Sequence, residues 1–250
     1  NDGTHVMIDG GVHRPEEDEE YSIYNSDGSL DPVYSYIKDE MSGRVDLWLV
    51  THFHDDHFGN AADIFQYCKD ISIGKFVGVL PTPEDHMEKV CYSEEMQAAL
   101  DKIIEQNLWQ EVRQGDLLEH GELQIEVMHD LHQVSKRWSF NDTTTIFRLH
   151  LGRTNKNFIV LGDLYEESGR VFMANHSRAE LKSDIVSVAH HGIKGVDPII
   201  YDRIQAPIAF VPSFLRTYRD DFWLNRTKPA VSRWAHQIIH GVEGTYSLRL

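Results

Sequence analysis

Thr51-His52-Phe53-His54-Asp55-Asp56-His57-Phe58-Gly59-Asn60 is the stretch on which the reading of this chain turns. It follows the apolar run Val45–Val50, which reads as a strand buried on both faces. Four potential metal ligands then fall within six residues, where that strand ends. Residues two apart on an extended chain point the same way, so His52 and His54 can share one ion. The pattern Ala61, Ala62, Ile64, Phe65 predicts a helix. Its start turns Asp56 and His57 toward a neighbouring position. Two imidazoles for one ion, and a carboxylate with an imidazole for a second, suit zinc, manganese or iron. A lone HxH is commonly a surface accident; the full HxHxDH string after a buried strand is far more specific.

Outward from this stretch, short β-branched runs alternate with amphipathic ones. Strands are predicted at Thr4–Ile8, Val45–Thr51, Leu123–Met128, Thr143–Leu149, Asn157–Leu161, Asp184–Ala189, Pro207–Val211 and Thr245–Leu250. Helices are predicted at Pro32–Met41, Asn60–Lys69, Glu94–Asn107, Pro198–Ile204 and Pro229–His240, with Ser93 as an N-cap. Neither class is segregated, which suggests a sheet core covered by helices. The acidic run Glu16–Glu20 reads as a solvated loop. No domain boundary stands out, so one domain over residues 1–250 is expected. The chain opens on Asn1-Asp2 and runs straight into a strand, as a fragment of a longer protein would.

With 24 basic against 40 acidic residues, the formal charge is −16. Such a field repels polyanions, so nucleic-acid binding would need a locally positive groove or bound cations. Cys68 and Cys91 form no disulfide framework, which points to a reduced, cytoplasmic setting. No apolar run approaches the roughly 18–20 residues that span a bilayer, and no signal peptide is visible.

The HxHxDH string is the signature of the metallo-β-lactamase superfamily, and three further stretches support the resemblance in the family's order. Val6-Met7-Ile8-Asp9-Gly10-Gly11 resembles the first motif, whose aspartate orients the site without touching metal. Val160-Leu161-Gly162-Asp163-Leu164 resembles the strand end that supplies the bridging aspartate. Asp184-Ile185-Val186-Ser187-Val188-Ala189-His190-His191-Gly192 resembles the last strand and its histidine. The resemblance implies an α/β fold, an αβ/βα sandwich of two mixed sheets face to face with helices outside.

Within the superfamily, Asn141-Asp142-Thr143-Thr144-Thr145-Ile146-Phe147 takes the place of the third-motif histidine. It resembles the Asn-rich, Ser/Thr-containing start of a strand in the ComEC-type hydrolase domain of DNA-uptake proteins. His190-His191-Gly192 and Gly244-Thr245-Tyr246-Ser247-Leu248 resemble that branch too. Without a third-motif histidine, the first metal keeps His52, His54 and Asp163, and Asp142 either contributes or bonds only to water. Ile193 stands where the branch usually carries serine, which removes a hydroxyl that could face substrate.

The resemblance thus implies a binuclear centre of two divalent ions, zinc foremost and manganese next. The expected ligands are His52, His54, Asp56, His57, Asp163, His190 and Asp142. The expected catalytic residues are Asp56, Asp163 and His191. His190 is preferred as the ligand because it comes first off its strand, which leaves His191 to contact substrate or protonate the leaving group. A hydroxide held by two metals attacks phosphorus or a carbonyl carbon equally well. By analogy with the branch, the expected substrate is a phosphoester, foremost a phosphodiester: a nucleotide, short nucleic acid or phospho-alcohol. The alternatives are an acyl hydrolase, lactonase- or thioesterase-like, and a catalytically weak sensor or effector module of a larger protein. Further domains or a homo-oligomer are compatible with either. His129 and His132 read as loop residues outside the site, and His120, His150, His176, His236 and His240 as surface or helix-end residues. Trp138 and Phe140 read as pocket lining or core.

Overall fold

A computed structural model describes residues 3–11, 29–82, 93–137, 139–213, 215–244 and 248. The expectations for Glu16–Glu20, Cys91 and Trp138 lie outside the described residues, as does the strand at 245–250 apart from Leu248. The chain divides into two compact units, Asn1–Val112 and Arg113–Leu250.

The first unit is a parallel sheet with helical connections. Its strands β1 (Val6–Ile8), β2 (Arg44–Leu49), β3 (Ser72–Gly78) and β4 (Trp109–Glu111) lie in that order. Every pairing is parallel, with Ile8 opposite Leu49 and Leu49 opposite Val77. Parallel strands need crossovers, and helices α1 (Pro32–Glu40), α2 (Asn60–Tyr67) and α3 (Glu94–Glu105) supply them. Val45, Leu47, Trp48 and Leu49 of β2 are all buried, as befits a central parallel strand. Trp48 stacks on Phe76 of β3 at 5.7 Å. Ser93 caps α3 by accepting from Met96 N, and Met96, Ala99, Leu100 and Ile103 form its buried stripe.

The second unit holds a seven-stranded mixed sheet. Its strands are β5 (Leu117–His120), β6 (Leu123–His129), β7 (Ile146–Leu151), β8 (Lys156–Val160), β9 (Ile185–Ser187), β10 (Ile208–Val211) and β11 (Gln237–His240), in spatial order β11-β10-β9-β8-β7-β6-β5. Strands β5 to β8 pair antiparallel, and β8 to β11 parallel. Helices α4 (Glu166–Asn175), α5 (Arg178–Leu181), α6 (Ile199–Ile204), α7 (Leu215–Tyr218) and α8 (Lys228–Val231) complete it. Leu161, Phe172, Val186, Ile200 and Trp223 belong to its apolar core.

The α/β class with two sheets and helices is the one expected, with one correction of detail. Among the described residues the four-stranded sheet is wholly parallel, and only the seven-stranded one is mixed. A second correction concerns the helix expected at 229–240. It stops at Val231, and Gln237–His240 instead pairs with β10, placing Ile238 and Ile239 in a sheet that favours β-branched side chains. No helix among the described residues is long and apolar enough to cross a membrane.

Candidate metal centre

In the first unit the donors lie just past the carboxyl end of β2, where open α/β sheets hold their ligands. Val50 N donates to Val77 O at 2.8 Å, and the chain then leaves the sheet. A single wide turn of π type, Asp55–Gly59, runs straight into α2. Such turns recur at functional sites. Phe53 and Phe58 anchor the loop, both buried with ring centroids 5.0 Å apart. The histidines between these two anchors are held inward.

His52 Nε2 lies 3.1 Å from His54 Nδ1. Two imidazoles on one tetrahedral ion, with metal–nitrogen bonds of about 2.0–2.1 Å, hold their nitrogens about 3.3 Å apart. The pair is therefore spaced for chelation. His57 Nδ1 lies 2.7 Å from Asp9 Oδ2, and Asp56 Oδ1 lies 3.9 Å from His57 Nε2. A carboxylate only accepts, so His57 carries its proton on Nδ1 and its lone pair on Nε2. Asp9 also accepts from Thr51 N and from the Thr51 hydroxyl, each at 2.8 Å. Gly10 N donates to His57 O at 2.6 Å, and a Cβ at Gly10 would meet Ala61 N at 2.7 Å. Only glycine allows that approach.

In the second unit the donors follow β8 and β9. Asp163 is buried three residues beyond the end of β8. His190, His191 and Gly192 have φ of 49°, 55° and 87°, three left-handed residues in succession. Non-glycine residues rarely adopt this conformation and keep it chiefly where function requires it. His190 N donates to Gly162 O at 3.0 Å, tying the turn to the loop that carries Asp163.

This turn decides how the two histidines differ. His191 Nδ1 donates to the Pro212 carbonyl at 2.5 Å, which puts its lone pair on Nε2, 3.5 Å from Asp163 Oδ2. A histidine ligand typically has its other ring N–H held in this way. His190 uses both ring nitrogens within the protein. Its Nδ1 donates to the Lys194 carbonyl, and its Nε2 accepts from Asn141 Nδ2 at 3.2 Å. Chain order favours His190, whose Nε2 lies 3.8 Å from the same Asp163 oxygen, but it carries no information about a left-handed turn.

Asp142 is fully buried and already engaged. Its Oδ2 accepts from Ser139 N at 3.3 Å and its Oδ1 from Ser168 N at 2.9 Å. It forms a capping box with Ser139, three residues before it in the sequence. His129 ends β6 rather than lying on a loop. Its ring is buried against Phe172 at 5.8 Å, and desolvation pushes its pKa down to about 4.

The chemistry of these donors fits divalent first-row ions. The first unit offers His52, His54, Asp56 and His57 as donors, and the second offers Asp163 and His191.

A family model for the metallo-beta-lactamase superfamily matches residues 1–148. No curated protein sequence matches the chain. Among solved structures, a mutant of the CmlA beta-hydroxylase aligns with a TM-score of 0.56 and 14% identity, covering 95% of this chain and 49% of that one. CmlA from Streptomyces venezuelae, a diiron beta-hydroxylase, aligns with a TM-score of 0.52 and 14% identity over the same shares. This chain therefore spans about half the length of those chains. YhfI from Bacillus subtilis, a metallo-beta-lactamase fold protein, aligns with a TM-score of 0.47 and 13% identity, covering 95% and 94% of the two chains. At such identities the likeness concerns the fold alone. The family model covers more than half of the 250 residues, and this chain belongs to the metallo-beta-lactamase superfamily.

Proposed function

We propose that the chain is a metal-dependent phosphoester hydrolase, acting foremost on a phosphodiester such as a nucleotide, short nucleic acid or phospho-alcohol. The metal reading is carried by one observation: His57 and His191 each have Nδ1–H tied to an acceptor, Asp9 and the Pro212 carbonyl, so that each offers Nε2. His52, His54 and Asp163 would hold one divalent ion, and Asp56, His57 and His191 a second. Zinc and manganese lead, and iron joins them because the fold neighbour CmlA is a diiron protein. When bound, such ions supply Lewis acidity and bring the pKa of coordinated water near neutrality.

This assignment exchanges the two histidines. His191 becomes the ligand and His190 the residue that faces substrate, oriented by Asn141 and the Lys194 carbonyl. Asp142 leaves the ligand set, because its carboxylate caps two backbone segments. Asp9 orients His57 and the Thr51 backbone. The phosphoester preference is supported by the likeness of Asn141–Phe147 and His190–Gly192 to the ComEC-type branch.

The test is turnover of phosphodiester, phosphomonoester, lactone, thioester and short nucleic-acid substrates by the zinc-, manganese- and iron-loaded chain, alongside Asp163→Asn. The variant keeps the shape of Asp163 and removes its charge. Wild type should hydrolyse a phosphoester, and Asp163→Asn should do so at least about 10³-fold more slowly, roughly 4 kcal/mol at 1.36 kcal/mol per tenfold. Turnover confined to lactone or thioester would move the reading to an acyl hydrolase. Binding without any turnover would move it to a sensor module.

A further inference from the structure

Three buried polar atoms at the carboxyl ends of β10 and β11 have no hydrogen-bond partner among the described residues: Ser213 Oγ, Trp223 Nε1 and His240 Nδ1. Trp223 is 1% exposed and His240 7%. The three residues are neighbours. Val211 pairs with His240 in the parallel ladder, and Ser213 follows two residues on. A Cβ at Gly241 would lie 3.4 Å from Ser213 O. The Trp223 and His240 rings meet edge to face at 5.1 Å, and Tyr218 packs on His240 at 4.8 Å. The patch also adjoins the histidine turn. Pro212 accepts the His191 Nδ1 bond, and a Cβ at Gly192 would be 2.6 Å from Trp223 Cε3.

A buried donor left unpaired has lost its hydration with nothing in return, so three in one place point to a bound group that satisfies them. Their chemistry restricts that group. An indole N–H can only donate, a serine hydroxyl donates readily, and a neutral imidazole donates from one nitrogen. Such a set matches an oxygen acceptor. Arg219, Arg226 and Lys228 stand against Asp220, Asp221 and Glu243 in the adjoining sequence, and Arg233 is paired with Asp202, so the phosphoester reading rather than local charge makes that acceptor a phosphoryl oxygen.

We propose that Ser213, Trp223 and His240 form a recognition patch for a non-bridging phosphoryl oxygen of the substrate, next to His191; this rests on the phosphoester reading above. Hydrogen bonds to a charged oxygen are the stronger kind, which makes the patch a determinant of affinity.

The probe is inorganic phosphate, titrated into the ¹⁵N-labelled, zinc-loaded full chain while the indole N–H signals are followed. The Trp223 signal is identified by its loss in Trp223→Phe or, if that variant does not fold, by through-bond assignment of the wild type. The Trp223 signal should shift saturably with phosphate and not with chloride at equal ionic strength. Ser213→Ala, which deletes one donor and little volume, should weaken phosphate binding about tenfold. A Trp223 signal that stays still, or Ser213→Ala binding phosphate as tightly as wild type, overturns the patch. A still signal in a protein that hydrolyses phosphoesters removes the patch and leaves the function standing. A phosphate-linked shift with no turnover keeps the patch and removes the hydrolase.

Discussion

Asp9 accepts from Thr51 N, from the Thr51 hydroxyl and from His57 Nδ1, so one carboxylate sets both the path of the histidine loop and the tautomer of its last imidazole. Outer partners of this kind are worth about 10–100-fold in metal affinity or activity. Asp9→Ala should therefore lower zinc affinity within that range in a competition titration. Unchanged affinity would mean that the bond to Asp9 does not orient His57 for metal. Gly192 is the second residue on which much depends. Its φ of 87° and the 2.6 Å approach to Trp223 leave no room for a side chain. Gly192→Ala should lose at least about 2 kcal/mol in denaturant unfolding, from left-handed strain and overpacking together. A midpoint within error of wild type would show that the turn relaxes at no cost.

At the scale of elements, α3 starts where its cap dictates. Ser93 accepts from Met96 N, and Ser93→Ala should cost about 1 kcal/mol of stability, read from chemical unfolding. No loss would mean that packing of Met96 and Ile103 alone fixes the start. Helix α3 was legible because its cap and apolar stripe agree, and β2 with its histidine loop because a buried run ends on ligands. Strand β3 was not legible, since Gly74 and Gly78 break its β-branched signal and its stability comes from pairing with β2 and β4. Helix α4 was missed because Gly169 sits at its centre. Strand β11 was read as helix because Pro229, Ala230 and Val231 begin one and nothing local announces its end at Ser232. Within the site, HxHxDH, Asp9 and Asp163 could be picked out from residue type and order. The choice between His190 and His191 depends on backbone dihedrals, and the role of Asp142 depends on which amides face it.

For the molecule as a whole, stability should vary with pH through His129. Its imidazole titrates near 6.5 in an unfolded chain and is pushed down to about 4 by burial, with His176 adding to the effect and Asp130 and Asp142 opposing it. Between these values the unfolded chain binds more protons, so stability is lost as pH falls from about 6.5 to about 4. The loss is roughly 3 kcal/mol at 1.36 kcal/mol per pH unit. Asp63 acts in the opposite direction, because burial beside Asp31 and Glu95 pushes it up to about 7. The informative quantity is thus the difference between wild type and His129→Leu, and the variant should lose less stability on acidification. Parallel pH profiles would contradict a buried neutral His129.

The central proposal is that two divalent ions would be held by His52, His54, Asp56, His57, Asp163 and His191. Metal content tests it most directly: the full chain is saturated with zinc or manganese, desalted and measured by elemental analysis, together with His54→Ala, His191→Ala and His190→Ala. The account predicts two equivalents per chain for wild type and His190→Ala, and one or fewer for His54→Ala and His191→Ala. Fewer than two in wild type, or two in His191→Ala but not in His190→Ala, would contradict it.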